Sequence, residues 1–180
     1  MPEARPAGLF ERIVRILDAV TGTLIGVLVA VLAGLVLAQV FFRFALNDSL
    51  LWSDELSQYC NVWITFLGAA LVTYGWGHTN VPLLVDRIPE SVRPYVMIPV
   101  KLIPAAFAVF LLVQGGEFVA GPFHLNSPSL GFSTRWVKLC IPISGALMLL
   151  FTVHSILRDI AEFRRGNFRH FDNQGQLSID

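Results

Sequence analysis

The sequence predicts an all-α integral membrane protein of four transmembrane helices, with both termini cytoplasmic and short amphipathic segments between the spans. Three observations predict it. First, four apolar stretches, 19–42, 56–76, 95–116 and 136–157, each supply the ~20 residues that a helix needs to cross a bilayer core of ~30 Å. The first two of them hold no charged residue. Second, hydrophobic residues make up 54% of the 180-residue chain and its mean hydropathy is +0.63, more than a soluble domain of this size carries. Third, net charge is zero but the arginines are unevenly placed. Arg5, Arg12 and Arg15 precede the first span. Arg87 and Arg93 lie between the second and third, and Arg158, Arg164, Arg165 and Arg169 follow the fourth. The other two gaps hold Arg43 and Arg135. Arginine-rich segments stay on the cytoplasmic side. This puts 43–55 and 117–135 on the opposite side, and 158–180 in a cytoplasmic tail. No gap is long enough for a soluble domain, so residues 1–180 read as one membrane domain.

The first apolar run exceeds the ~7–15 residues of a signal-peptide core, so it reads as an uncleaved helix. Ahead of it Leu9, Ile13, Ile16 and Leu17 fall at helical spacing, with Arg12 and Arg15 between them. That pattern suits a helix lying on an anionic leaflet, or a basic flank of the span. Inside the span, Gly22, Gly26, Ala30, Gly34 and Ala38 recur at every fourth residue. Small residues let helix backbones approach closely in lipid. A step of four overshoots a 3.6-residue turn, so the stripe winds and points to two contacts rather than one seam.

Asn47-Asp48-Ser49 reads as a turn into the second span, and Trp52 suits a membrane interface. Ser53 is a candidate N-cap. It puts Asp54 and Glu55 in the first helical turn, where the helix dipole favours carboxylates. The functional reading of the same acids is an ion pair with Arg43 at the outer edge, or a contact to a partner. Asp54, Gln58, Asn61 and Thr65 then recur at steps of four, three and four, and Gly68 and Val72 continue the arc. A polar stripe facing lipid is costly. It is therefore predicted to face protein, either by sealing this chain's own bundle or by docking a neighbour.

The inner loop, 77–94, carries a short apolar face of Val81, Leu84, Val85 and Ile88, with Asp86, Arg87 and Glu90 off it. Pro82 suits a first helical turn and Pro89 ends the segment, which predicts a short surface helix after His78. Pro99 and Pro104 kink the third span, and Lys101, near its inner end, is expected to snorkel. A Gly-, Pro- and Ser-rich outer loop follows, from Gly115 to Ser133; long ordered loops often carry contacts. The fourth span has Lys138 at its outer edge and Pro142 inside. Cys60 and Cys140 read as buried free thiols.

No phosphate loop, Cys/His metal spacing or nucleophile motif appears in the sequence. The expectation is no enzyme, no cofactor and no nucleic-acid partner. Secondary transporters show repeats and paired broken helices, which this chain lacks, so an accessory subunit fits better than a stand-alone transporter. A second alternative rests on His78 and His154. Both fall near the inner surface, where a facing pair on a four-helix bundle can ligate haem b; the plainer reading is an interfacial His with a polar partner.

Several segments together carry a family likeness. Trp52-Ser53-Asp54-Glu55 opens span two, and Val62-Trp63-Ile64-Thr65-Phe66-Leu67-Gly68-Ala69-Ala70 lies within it. Gly77-His78 and Val85-Asp86-Arg87-Ile88-Pro89 follow, then Ser127-Pro128-Ser129-Leu130-Gly131 ahead of Ile141-Pro142. In this order, on a four-span chain, they resemble the small membrane subunit of tripartite ATP-independent periplasmic (TRAP) transporters, the DctQ family. The chain departs from the pattern at Ser133, where a proline is expected. The resemblance implies a bacterial inner-membrane protein that packs, as a fixed scaffold, against a large DctM-like permease subunit. The large subunit would carry the sodium and organic-acid sites, and a periplasmic DctP-like binding protein would deliver substrate. Under it, Gly22, Gly26, Gln58, Asn61, Thr65 and Gly68 become candidates for intersubunit packing. Arg43, Trp52, Asp54 and Glu55 become a candidate outer-edge cluster.

Overall fold

Runs of Leu, Val, Ala and Phe in lipid must satisfy every backbone polar group within the segment, and helix does so. The computed structural model describes residues 9–48, 50–74, 99–121, 126–131 and 133–164. Its helices are α1 (Leu9–Ala45), α2 (Leu51–Tyr74), α3 (Leu102–Ala120), α4 (Arg135–Lys138) and α5 (Cys140–Arg164). Among the described residues, three segments are both long and apolar enough to cross a membrane: Leu9–Ala45, Leu102–Ala120 and Arg135–Ala161. Helix α2 has 24 residues, a length of ~36 Å, but it carries the polar stripe.

The helices pack in the order α1, α2, α5, α3. Helices α2 and α5 are central, while α1 and α3 flank them. The α1 positions that are covered include Val14, Asp18, Thr21, Ile25, Leu28, Leu32, Leu35, Gln39 and Phe42. Their steps of four and three make a heptad seam. Most of the remaining α1 surface is exposed and apolar, as a lipid-facing helix requires. An apolar core cluster joins Ala70 of α2, Ala108 of α3 and Met148 of α5.

Close approach of α3 and α5 depends on two glycines outside the stripe singled out in the sequence. A Cβ on Gly145 would lie 2.9 Å from the Leu112 nitrogen and 3.1 Å from the Ala108 oxygen. One on Gly115 would lie 2.7 Å from the Ile141 side chain. Gly115 and Gly116 therefore sit inside α3, which runs to Ala120, and not in the outer loop. The sequence reading drew the span only to residue 116 and counted both glycines into the Gly-, Pro- and Ser-rich outer loop. Gly115 is a packing residue, whereas a Cβ on Gly116 would meet nothing within 4 Å.

Two further expectations are corrected. Leu9–Ala45 is one continuous 37-residue helix, so of the two readings of the amphipathic lead-in the flank of the span fits and a separate surface helix does not. Ser53 is not the N-cap of α2, which begins at Leu51. It is fully buried, and its hydroxyl donates to the Leu50 carbonyl at 2.7 Å. The turn before it is as read: Asn47 adopts φ 51°, a left-handed conformation that Asn tolerates. The Phe42 carbonyl accepts both the Leu46 and Asp48 amides.

Candidate functional site

The polar arc of α2 faces outward. Asp54, Gln58, Asn61 and Thr65 are all exposed, whereas Ser53, Cys60, Leu67, Ala70 and Thr73 are buried on the opposite side. The stripe does not seal this chain's bundle. Several hydroxyls in these helices bond back to their own helix: Thr65 donates to the Asn61 carbonyl at 2.8 Å, and Thr152 to that of Met148 at 2.8 Å, while the buried Ser57 hydroxyl of α2 has no partner among the described residues. Such back-bonding is open to Ser and Thr but not to the longer Gln58 and Asn61 amides. Neither amide has a hydrogen-bond partner among the described residues.

At one end of the bundle, the acids of α2 are used in ways the sequence reading did not anticipate. Asp54 accepts a hydrogen bond from Gln39 of α1. Glu55 accepts one from the Tyr59 hydroxyl and one from the Ser129 amide at 3.1 Å. The Ser129 bond ties residues 126–131 to the start of α2. That segment is a tight turn. Gly131 has φ 70° and donates to the Ser127 carbonyl at 3.0 Å. The buried Ser127 hydroxyl accepts the Leu130 amide at 2.9 Å. Hydrogen bonds from Tyr59, then Ser127, then the Ser129 amide hold the Glu55 carboxyl below its ordinary value of 4.5. Two motifs 74 residues apart thus form one clasp. Asn126 and Ser133 pair across the turn, so the residue standing where a proline was expected closes the loop.

The expected ion pair of Arg43 with Asp54 or Glu55 is not formed. Both carboxylates are engaged elsewhere, and the Arg43 guanidinium lies 6.0 Å from the Phe44 ring centre. Trp52 is exposed at the same end.

The opposite end holds a buried charge pair that the sequence reading missed. Lys101 donates to Asp159 at 2.5 Å and to the Ser155 hydroxyl at 2.8 Å. Their side chains are 3% and 1% exposed. Lys101 therefore does not snorkel. It sits at a break in helical structure just before α3 and points into the bundle. The available signal was a lysine inside an apolar run, which calls for a partner. On the same helix as Asp159, His154 belongs to an aromatic group, its ring centre 5.6 Å from that of Phe10 and 6.1 Å from that of Tyr74. His78, Asp86 and Arg87 lie outside the described residues, so the proposed haem pair is not tested. Among the described residues no three potential metal ligands cluster.

The glycines of α1 are not required by close packing within this chain. A Cβ on Gly22, Gly26 or Gly34 meets nothing within 4 Å, and neither does one on Gly68 of α2. Gly26 and Gly34 of α1 and Gln58, Asn61 and Thr65 of α2 thus face away from the chain's own packing surfaces, whereas Gly22 and Gly68 are partly covered and Asp54 bonds to α1.

Comparison with known proteins bears on what those surfaces serve. Residues 32–162 match the family described as tripartite ATP-independent periplasmic transporters, DctQ component. A sialic acid TRAP transporter small permease protein, SiaQ, of Vibrio cholerae is 25% identical over 73% of this chain and 74% of its own length. An ectoine TRAP transporter small permease protein, TeaB, of Halomonas elongata is 26% identical over 81% of this chain and 78% of its own length. The sialic acid TRAP transporter permease protein SiaT of Haemophilus influenzae is 25% identical over 69% of this chain, which matches only 20% of that longer protein.

Proposed function

The chain belongs to the DctQ component family of TRAP transporters, as a multi-pass protein of the bacterial inner membrane, and from that premise we propose that it is a fixed, non-catalytic scaffold subunit. In this reading it packs against a large DctM-like permease subunit, which moves and carries the sodium and organic-acid sites. A DctP-like binding protein delivers substrate from the periplasm. All four long helices cross the bilayer. The clasp end, with Glu55 and residues 126–131, faces the periplasm, and both termini are cytoplasmic.

The observation that carries this reading is the exposed polar stripe on α2. Unpaired Gln58 and Asn61 amides on a helix surface at membrane depth find no water to bond. A neighbouring protein that supplies donors and acceptors removes that penalty. Gly26, which is exposed, and the partly covered Gly22 of α1 leave room for a second close-packing surface for the same neighbour. Support for a large neighbour comes from SiaT, where sequence like this chain's forms part of a longer permease.

Co-purification tests it. A tagged copy is extracted gently from its native membrane and its companions are identified. A stoichiometric large permease is the expected result. The variant Gln58→Leu/Asn61→Leu is expected to keep its membrane level and helical content but to lose the permease. A folded, monodisperse wild-type chain without a companion overturns the scaffold reading.

A further inference from the structure

A cavity of about 570 Å³ opens between α2, α3 and the start of α5, towards the clasp end. Phe66, Phe110 and Phe118 wall it, and Gln114, Glu117 and Lys138 supply its polar groups. We propose that this groove holds one acyl chain of a phospholipid from the leaflet at the clasp end, with its phosphate on Lys138 and a headgroup amine on Glu117.

Three features argue for that occupant. The α3 wall rises ~16 Å from Phe110 to Gly121, which matches one leaflet of a ~30 Å core. A partner helix would need a groove running the whole width of the membrane, whereas this one stops half-way. Polarity is also ordered along its length: the Phe66 and Phe110 end is apolar, and both charges lie at the rim. The Lys138 ammonium sits 4.3 Å from the Phe118 ring centre, so its stem is held against the wall while its charge stands at headgroup level. A cation and a carboxylate on one rim complement a zwitterionic amine headgroup better than an anionic one. The inference needs only the membrane location of the chain and does not depend on the scaffold reading.

The experiment is native mass spectrometry of the full chain, extracted with its companions and washed in mild detergent until loosely held lipid is gone. Wild type is expected to retain phospholipid. Lys138→Gln is expected to lower occupancy about five-fold, the worth of one cation at a membrane surface, and Lys138→Arg to restore it. Gln114→Trp, which fills the groove, is expected to abolish retention with helical content unchanged. Washed protein offered phosphatidylethanolamine or phosphatidylglycerol vesicles is expected to prefer the former, and Glu117→Gln to lose that preference. Wild type that retains no lipid overturns the proposal, as does equal retention in Lys138→Gln and Gln114→Trp. So does a photo-crosslinker at Phe110 that captures a protein instead of a lipid.

Discussion

Glu55 does more than suit a helix dipole. One carboxylate joins the Tyr59 hydroxyl, the Ser129 amide and the Ser127 hydroxyl, and so fixes the turn at 126–131 on α2. All of these bonds favour the charged form. Its folded value is lowered, so the clasp contributes in full above the unfolded value of 4.5 and is lost as pH falls through the lower folded value. A spin label on Ser129→Cys leaves the backbone donor in place. It is expected to stay immobile at neutral pH and to loosen only below pH 4.5. Adding Glu55→Gln is expected to weaken this immobilisation across the whole range. A label that tightens on acidification contradicts the assignment.

Lys101 and Asp159 show the other side of residue-scale chemistry. A buried pair is weak evidence of net stability, but removing one partner strands the other charge, typically at ~3–5 kcal/mol. Lys101→Met and Asp159→Asn are each expected to lower the unfolding temperature and membrane level markedly. The double variant Lys101→Met/Asp159→Leu is expected to recover most of the loss. Additive losses in the double variant would mean that the two residues do not act as a pair.

At the scale of the helix, close packing and exposure sort the glycines into two kinds. Gly145 lies against the α3 backbone and has no room for a side chain. Gly145→Leu is expected to push α3 and α5 apart, with a cost at or above the ~1–3 kcal/mol of an overpacked core, read as aggregation on extraction. Gly26 faces open space, so Gly26→Leu is expected to leave the chain's own fold intact. If it also weakens retention of a permease, the exposed stripe is a contact.

This sorting marks what the sequence could and could not tell. The apolar runs announced the helices, because backbone satisfaction in lipid leaves no other choice. Polar spacing announced that α2 has one distinct face, but spacing alone does not say which way a face turns. The same holds for Lys101: a lysine near a helix end can reach out to water or in to an acid, and a remote residue, Asp159, decides. The Trp52–Glu55 and Ser127–Gly131 segments were each legible as motifs. Their meeting was not, since it depends on α2 and α5 lying side by side.

For the whole molecule, the number of crossings turns on α2. Three segments among the described residues are apolar enough to span unaided, and an odd number of crossings would put the two termini on opposite sides. Contacts along α2 argue for a fourth. Near its start Asp54 meets Gln39, late in α1. At its finish Tyr74 meets His154, which in turn stacks near Phe10, early in α1. In the proposed four-span reading, a helix in register with both ends of α1 traverses the same thickness of membrane, and its polar face needs a protein neighbour there. Four crossings then put the arginine-rich segments together on the cytoplasmic side, as the positive-inside rule requires. Thiol labelling checks this directly, because the native Cys60 and Cys140 are buried. Ser129→Cys is expected to react with a membrane-impermeant reagent in intact spheroplasts. Glu3→Cys and Asn173→Cys are expected to react only after permeabilisation. Labelling of just one of those two terminal positions from outside would reduce the crossings to an odd number, and α2 would have to lie along the surface with its polar face in water.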